Sequence, residues 1–169
     1  MSLRLSSPGQ AYGRFVHALI LRYARREQAF TTFFLRNKAE LELVRRLLDR
    51  NAPGSSVDIA VLGCSKGAEV YSILWTIRSA RPDLRLTTYA VDISQEILDF
   101  AERGVYSCRG DVTGDTFKDQ KKSIFERLTD EEMEAMFEVE DDLVKVRPWL
   151  KDGTIWRNSS VFWAIRTSW

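Results

Sequence analysis

Residues 59–72 read IAVLGCSKGAEVYS, in which a short apolar run meets two glycines that stand four positions apart. The apolar run, Val57–Leu62, has the length and composition of a buried parallel strand. The segment Gly63–Gly67 is a turn, and Ala68–Arg78 has the apolar spacing of a helix that ends before Pro82. This part of the sequence therefore predicts a strand, a glycine-containing bend and a helix in succession.

The residues that follow predict a second strand and a second helix. Leu86–Val91 (LTTYAV) is rich in β-branched and aromatic residues, as strands are, and Asp92 stands at its end. Ser94 is a suitable N-cap for the next helix, and Gly104 is a suitable C-terminal stop. A strand, a glycine bend, a helix, a strand, an acidic residue and a helix in this order are the opening of a doubly wound α/β sheet.

The N-terminal part of the chain predicts helices. Residues 12–30 form a basic amphipathic pattern, whose charged face is either solvated or a docking surface for an acidic partner. A second helix starts at Asn37, and Glu40 completes a capping-box pattern. Pro, Gly and Ser residues then break the pattern, so we predict a helical segment over 1–52 and a Rossmann-like α/β domain over 53–169. The apolar stripe of the second helix comprises Leu41, Val44, Leu47 and Leu48.

The second half of the chain predicts one helix and two strands. Thr129 and Glu132 form a capping box at the start of the helix. Leu143–Val146 and Gly153–Arg157 are strand-like, and we predict a hairpin with Pro148 in its loop. The apolar residues of the helix that we assign to the core are Met133, Met136 and Phe137.

Composition excludes several classes of function. The chain has 169 residues, 44% hydrophobic residues and a net charge of +1, so nothing indicates nucleic acid or a lipid surface. No apolar run is long enough to span a membrane, and the N-terminus lacks the apolar core of a secretory signal. Cys64 and Cys108 are expected to be reduced, and one histidine with two distant cysteines predicts no metal site. We expect a soluble cytoplasmic protein without nucleic acid, membrane insertion or metal.

The glycine pattern indicates what the bend binds. Position 65 is Ser, so Gly63 and Gly67 do not complete the G-x-G-x-x-G of dinucleotide enzymes. The G-x-x-x-x-G-K-[ST] pattern of a phosphate-binding loop is also missing, despite Lys66. A ligand without a pyrophosphate, such as S-adenosylmethionine, fits these departures better. Both glycines leave room where the backbone turns away from the strand, so a ligand can approach closely.

Two acidic residues suit this ligand. Asp92 follows the bend at close to the offset of roughly 20 residues at which dinucleotide folds place a ribose-binding carboxylate. Its two oxygens could accept both ribose hydroxyls, while Glu69 could pair with the ammonium group of the methionine part. Two other roles stay open, because Asp92 could cap a helix and Glu69 could be a surface residue favoured by the helix dipole.

Three segments resemble the CheR-type chemotaxis methyltransferases. GCSKGAEVYS looks like the family's G-C-S-T-G-E-E-P-Y-S loop, and YAVDISQEILDFAERGVYS is similar to its A-T-D-I-[SD]…L..A..G.Y segment. TTFFLRNKAELELVRRLL resembles its T-x-F-[FL]-R-[ND] entry and the helix beyond. The three segments occur in the family's order over residues 30–107, with a weaker likeness to about Arg157.

The resemblance implies a Rossmann-like methyltransferase that uses S-adenosylmethionine to convert glutamate side chains of proteins, chemoreceptor-like ones among them, to methyl esters. Arg36 matches the family arginine near the acceptor carboxylate, which makes it the candidate catalytic residue; a pair with Glu40 is the structural alternative. Tyr71 and Tyr106 match aromatic positions that we assign to packing. The positions that match the cofactor site are Thr32, Gly63, Gly67, Glu69 and Asp92.

The sequence also departs from the family. Ala68 replaces the first of two loop glutamates, and Lys66 replaces the loop threonine, although its long side chain can turn toward solvent. Cys64 is expected to be a small loop residue rather than a nucleophile. After Arg157 the family's Gly-Asp-Ala-like turn and later strands have no equivalent, so we expect a truncated or frame-shifted product. Two functional classes therefore remain, namely a protein-glutamate methyltransferase and a non-catalytic cofactor-binding or interaction module.

Overall fold

The computed structural model describes residues 32–107 and 124–159. The predicted succession of strand, bend, helix, strand and helix is present in the first range, whereas the second range contains a strand and a short helix that the sequence analysis did not predict. The predicted helix over residues 12–30 and the tail beyond Ser159 lie outside the described residues. The elements in chain order are α1 (Lys38–Leu48), β1 (Ser56–Leu62), α2 (Ala68–Ala80), β2 (Arg85–Asp92), α3 (Gln95–Arg103), β3 (Val105–Ser107), α4 (Asp130–Met136), β4 (Phe137–Glu140), β5 (Leu143–Val146), α5 (Pro148–Lys151) and β6 (Thr154–Asn158).

A parallel sheet has the strand order β1–β2–β6, so it joins the first two strands to the last strand of the described residues. β2 pairs with β1 up to Leu62↔Val91 and with β6 up to Asp92↔Asn158. Because the strands are parallel, their carboxyl ends meet along one edge, where ligands bind in doubly wound folds. This arrangement confirms the predicted class, an α/β fold with a partial doubly wound, Rossmann-like sheet.

A second, antiparallel sheet has the order β3–β5–β4. The predicted hairpin of residues 143–146 with 153–157 is wrong, because β5 pairs with β3 and β4 whereas β6 joins the parallel sheet. Pro148 does not lie in a hairpin loop but at the first position of the short helix α5. A proline fits there because it has no N–H to leave unpaired and its φ is already helical. The helix therefore carries the chain from one sheet to the other.

The predicted helix ends are confirmed except at α1. Asn37 occupies the N-cap position of α1, but its side chain accepts no capping hydrogen bond, so the capping box predicted with Glu40 is wrong. The backbone of Asn37 is not extended (φ −118°, ψ 60°), unlike that of a typical N-cap. The side chain of Ser94 accepts a hydrogen bond from the amide of Ile97, and Gly104 ends α3 in the left-handed conformation. The box of Thr129 and Glu132 is complete at α4.

The core lies between the two sheets and α2. Its largest fully buried side chains include Tyr71, Phe34 and Phe137. Tyr71 donates a hydrogen bond to the carbonyl of Ala101, and burial raises the pKa of its phenol. Phe34 comes from the segment before α1, yet it packs in the same core as the sheet, so the boundary predicted at residue 52 stays a prediction.

The stripe predicted for α1 is buried only in part. Leu41 is buried and Leu48 packs against the core, but Val44 and Leu47 are exposed. Of the apolar residues predicted for the helix α4, Met136 and Phe137 are fully buried and Met133 is partly buried, so their place in the core is confirmed. The helical position of Phe137 is wrong, because Phe137 begins β4.

Candidate functional site

The bend after β1 is fastened to the end of β2. The amides of Gly63 and Cys64 both donate to the carbonyl of Val91, at 2.8 and 3.1 Å. Gly63 has φ +69°, and a Cβ added there would meet nothing within 4 Å. The bend thus places a glycine in the left-handed region, with open space in front of it, at the carboxyl edge of the sheet.

Gly67 is needed for a different reason from the one the sequence indicates. Its φ is +83°, and an added Cβ would lie 3.0 Å from Cβ of Ala101 and 3.2 Å from Cε2 of Tyr71. The chain itself therefore fills the space in which a side chain at Gly67 would stand. Close packing of α2 on α3 explains this glycine, and its contact with a cofactor stays a prediction.

Asp92 joins the bend to the start of α3. Its Oδ2 accepts a hydrogen bond from the amide of Ser65 at 2.9 Å. Its Oδ1 accepts from the amides of Ile93 and Ser94, at 2.7 and 3.1 Å. The residue is 7% exposed. It thus holds the bend and the turn before α3 in place, whereas the side chain of Ser94 caps the helix, so the capping role that the sequence left open for Asp92 is not the one that it performs.

These three amides leave limited room for a ligand on Asp92. A carboxylate offers about four lone-pair sites, so about one is left for a hydroxyl group. Accepting both ribose hydroxyls, as the sequence analysis expected, would require one amide bond to be shared or lost. The arrangement fits one strong hydrogen bond from a ribose.

Ser65 is a feature of the site that the sequence analysis missed. It adopts φ +48°, which is uncommon for a residue with a side chain. Its Oγ atom is buried and has no hydrogen-bond partner among the described residues. Such an orphaned hydroxyl, two residues after Gly63 in the same bend, is a candidate partner for a polar ligand. The signal in the sequence was a hydroxyl residue between the two glycines of the bend.

Two exposed apolar side chains flank the same edge. Leu62 ends β1 and is 77% exposed, while Ile93 follows β2 and is 54% exposed. Large apolar side chains at the mouth of a site provide a surface for a flat ring. The sequence analysis missed both, although each directly adjoins a predicted site residue, Gly63 or Asp92.

Arg36 and Glu69 form an ion pair. Nη2 of Arg36 lies 3.4 Å from Oε2 of Glu69, and the two side chains are 41% and 42% exposed. The arginine expected to orient an acceptor and the glutamate expected to bind an ammonium group are therefore neighbours. The alternative partner Glu40 is not the one that the structure shows. The bend leads directly into the first turn of α2, and Glu69 lies in that turn, two residues after Gly67.

Thr32 is buried at the beginning of the described chain. None of the described hydrogen bonds joins its side chain to the bend or to Glu69. Its expected contact with the cofactor stays a prediction.

Cys64 is a buried residue of the bend. Burial, and to a lesser extent the charge of Asp92, raise the pKa of the Cys64 thiol to about 12, so the thiol is neutral at physiological pH. This agrees with a packing role and not with a nucleophile.

The side chain of Lys66 lies near an aromatic ring of α3. Its ammonium is 6.0 Å from the centroid of the Phe100 ring. Tyr106 donates a hydrogen bond to the Lys66 carbonyl at 2.7 Å, and burial raises the pKa of its phenol, in line with the packing role assigned to it.

The described residues contain no group of three or more histidine, cysteine or acidic side chains that could hold a metal ion. Within the same two ranges, no helix combines the length and the apolar character that a membrane span requires.

A known protein is similar to much of this chain. A protein named chemotaxis protein methyltransferase 2, from Vibrio cholerae serotype O1, is 32% identical over 114 residues. The match covers 63% of this chain and 37% of the relative, so the chain corresponds to little more than a third of that protein.

The family comparison covers the site. Residues 30–147 match the family described as CheR methyltransferase, SAM binding domain. This range includes the bend, Asp92 and the Arg36–Glu69 pair, and it is more than half of the chain. S-adenosylmethionine is the cofactor that the family description specifies. The chain belongs to the CheR methyltransferase SAM-binding domain family.

Proposed function

We propose that the carboxyl edge of β1 and β2 holds the adenosyl part of S-adenosylmethionine, and that the chain takes part in methylating glutamate side chains of proteins. The observation that carries the placement is the carboxylate of Asp92, fixed by the Ser65 amide beside the open face of Gly63. In this arrangement Asp92 accepts a ribose hydroxyl and Ser65 Oγ gains a partner. Leu62 and Ile93 provide the apolar contact for the purine.

The methionine part is assigned to the Arg36–Glu69 pair. The Glu69 carboxylate attracts an ammonium group, and the Arg36 guanidinium attracts a carboxylate. Because both side chains are partly exposed, their mutual attraction is weak, and a charged ligand can separate them at small cost. Thr32 and Gly67 complete the proposed cofactor set.

Bound S-adenosylmethionine supplies an electrophilic methyl group. An acceptor glutamate has a pKa near ~4.3, so it is already ionised at neutral pH and needs no general base from the chain. Arg36 orients the incoming carboxylate, and holding the reactants in line accounts for several kcal/mol of the barrier. The neutral thiol of Cys64 is consistent with this chemistry, which uses no enzymic nucleophile.

The acceptor is proposed from the relative's name. The Vibrio cholerae relative is a chemotaxis protein methyltransferase, so the acceptor class that we propose is a chemoreceptor-like protein that carries glutamates, with a cytoplasmic site of action. The matched region is 37% of that relative, and for this reason activity, acceptor and location are all proposals.

Calorimetric titration with S-adenosylmethionine tests the cofactor site. We expect saturable one-site binding, and a folded sample that binds none would overturn the placement. Catalysis is tested by incubating the chain, methyl-labelled cofactor and a glutamate-containing receptor fragment, and then treating the product with base. Release of labelled methanol shows a carboxyl methyl ester. Binding without methanol release would support the alternative, a cofactor-binding module that does not catalyse.

A further inference from the structure

Leu35 has an unusual backbone conformation next to the candidate catalytic arginine. Its φ is +50°, in the left-handed region that bulky residues rarely adopt, and its side chain is buried. A residue keeps such a conformation only where its surroundings hold it there. The contacts of residues 33–36 show which neighbours hold Leu35 in this conformation.

Ser72 on α2 supplies one of these contacts. Its Oγ accepts a hydrogen bond from the amide of Leu35 at 2.8 Å and donates one to the carbonyl of Ala68 at 2.6 Å. Ser72 is itself buried, so no water competes for its hydroxyl group. The hydroxyl therefore links the left-handed residue directly to the helix that follows the bend.

The residues on either side of Leu35 form hydrogen bonds with a different part of the chain, residues 124–127. The amide of Phe34 donates to the carbonyl of Ile124 at 3.0 Å, and Nη1 of Arg127 donates to the carbonyl of Arg36 at 2.7 Å. Ser72 is the member of this set that lies on α2, the element that also carries Glu69.

Ser72 and Glu69 are three positions apart, so they lie on the same face of α2. Arg36, Glu69 and Ser72 also line one small cavity of about 20 Å³. The hydrogen bond at Leu35 thus fixes the residue before Arg36 within reach of the carboxylate that Arg36 pairs with.

We propose that Ser72 is a positioning residue for Arg36. Its hydroxyl holds Leu35 in the left-handed conformation, and this places the Arg36 guanidinium against Glu69 at the methionine end of the cofactor site. The inference rests on the proposed function for the role of Arg36 in binding, whereas the link between Ser72 and Leu35 stands independently of it.

Amide hydrogen exchange tests that link. We compare wild type with Ser72→Ala and with the matched control Ser79→Ala, which removes an equivalent hydroxyl from α2 that bonds to the carbonyl of Trp75. We expect the Leu35 amide to lose protection in Ser72→Ala and to keep it in Ser79→Ala and Ser72→Thr. Unchanged protection in Ser72→Ala overturns the inference. If Ser72→Ala does not fold, Ser72→Cys, which has a similar size and a weak acceptor, replaces it.

A double-mutant cycle on ligand affinity tests the action through Arg36. Calorimetry with S-adenosylhomocysteine is performed on wild type, Ser72→Ala, Arg36→Ala and the double variant. We expect Ser72→Ala to weaken binding about fivefold in wild type, the size of one neutral hydrogen bond, and by less than about twofold in the Arg36→Ala background. An equal loss in both backgrounds shows that Ser72 does not act through Arg36 and overturns the inference.

The two proposals fail in distinguishable ways. If wild type binds no S-adenosylhomocysteine while the Leu35 amide depends on Ser72, the cofactor placement fails, and the role of Ser72 in binding fails with it. If wild type binds and Ser72→Ala behaves like Ser79→Ala in both measurements, the role of Ser72 fails and the cofactor placement stands.

Discussion

The carboxylate of Asp92, at the end of β2, accepts a hydrogen bond from the amide of Ser65, in the bend after β1, at 2.9 Å. One side chain thus connects the two neighbouring strand ends between which the ligand is proposed to lie. Because Asp92 is buried and its carboxylate also accepts hydrogen bonds from two amides in the turn before α3, its position is fixed before any ligand arrives. Such preorganisation lowers the entropic cost of binding.

Asp92→Asn should weaken binding of S-adenosylmethionine by at least about tenfold, because hydrogen bonds to a charged group are stronger than those to a neutral one. We also expect a loss of about 1–3 kcal/mol in the free energy of unfolding, since the new NH₂ group cannot accept from a backbone amide. Calorimetry and denaturant unfolding measure the two effects. Asp99→Asn is the control, because Asp99 is exposed and accepts from the side chain of Gln95. Equal affinity in the two variants would place the ribose elsewhere.

Glu69→Gln should weaken the binding of S-adenosylhomocysteine about five- to tenfold. The affinity for adenosine should change by less than about twofold, since adenosine has no ammonium group. Stability should change by less than about 0.5 kcal/mol, because the pair with Arg36 is exposed. Titrating both ligands into wild type and Glu69→Gln gives the comparison, with Glu40→Gln as a control on α1. A similar loss for both ligands would contradict the assignment of Glu69 to the methionine end.

The raised pKa of Cys64 predicts a loss of stability at alkaline pH. The folded thiol has a pKa of about 12 against 9.0 for the unfolded chain, so above pH 9 the unfolded state releases a proton that the folded state keeps. The stabilisation is thus complete below pH 9 and is lost as the pH rises toward 12. From pH 8 to pH 10 the free energy of unfolding should fall by about 1 kcal/mol more in wild type than in Cys64→Ala. Parallel urea titrations of both proteins at the two pH values measure this, and identical slopes with pH would show that the thiol is not buried.

Gly67→Ala should destabilise the fold more than Gly63→Ala. Both glycines have positive φ, which costs an alanine about 1–2 kcal/mol, but only at Gly67 would the new methyl group meet Ala101 at 3.0 Å. Denaturant unfolding of the two variants gives the difference. Adding Ala101→Gly to Gly67→Ala should recover part of the loss, and complete additivity of the two changes would indicate that α2 and α3 do not touch here.

Local patterns predicted the α/β part of the fold because they act over a few residues. The apolar run before Gly63, the cap at Ser94 and the stop at Gly104 are each determined by neighbouring residues, and the parallel strand, the cap and the stop are all confirmed. The expected burial of that strand is wrong, because only Val61 of β1 is buried among the described residues.

The predicted hairpin with Pro148 in its loop was wrong because strand pairing depends on long-range contacts. β6 pairs in parallel with the edge of β2 instead of with β5. The capping box predicted at Asn37 was wrong because the backbone of Asn37 lies at φ −118° and ψ 60°, outside the extended conformation of a typical N-cap, and its side chain accepts no capping hydrogen bond.

The sequence predicted where the site lies, but not which side chains contact each other there. It predicted that the bend and Asp92 lie at the same edge of the sheet, because the carboxyl ends of parallel strands meet there. It could not show that Gly67 packs on Ala101, that Ser65 has an orphaned hydroxyl or that Arg36 meets Glu69. Each of these depends on how helices from distant parts of the chain approach the bend.

The placement of the adenosyl group is tested most directly by comparing Gly63→Ala with Gly54→Ala in calorimetric titrations with S-adenosylhomocysteine. Both glycines have similar positive φ values, +69° and +73°, and open space where a Cβ would stand, so the two substitutions strain the backbone alike. We expect Gly63→Ala to weaken binding at least about tenfold, because its methyl group would enter the ligand's space, and Gly54→Ala to change it by less than about twofold. Equal affinities of the two variants would contradict a ligand at the bend.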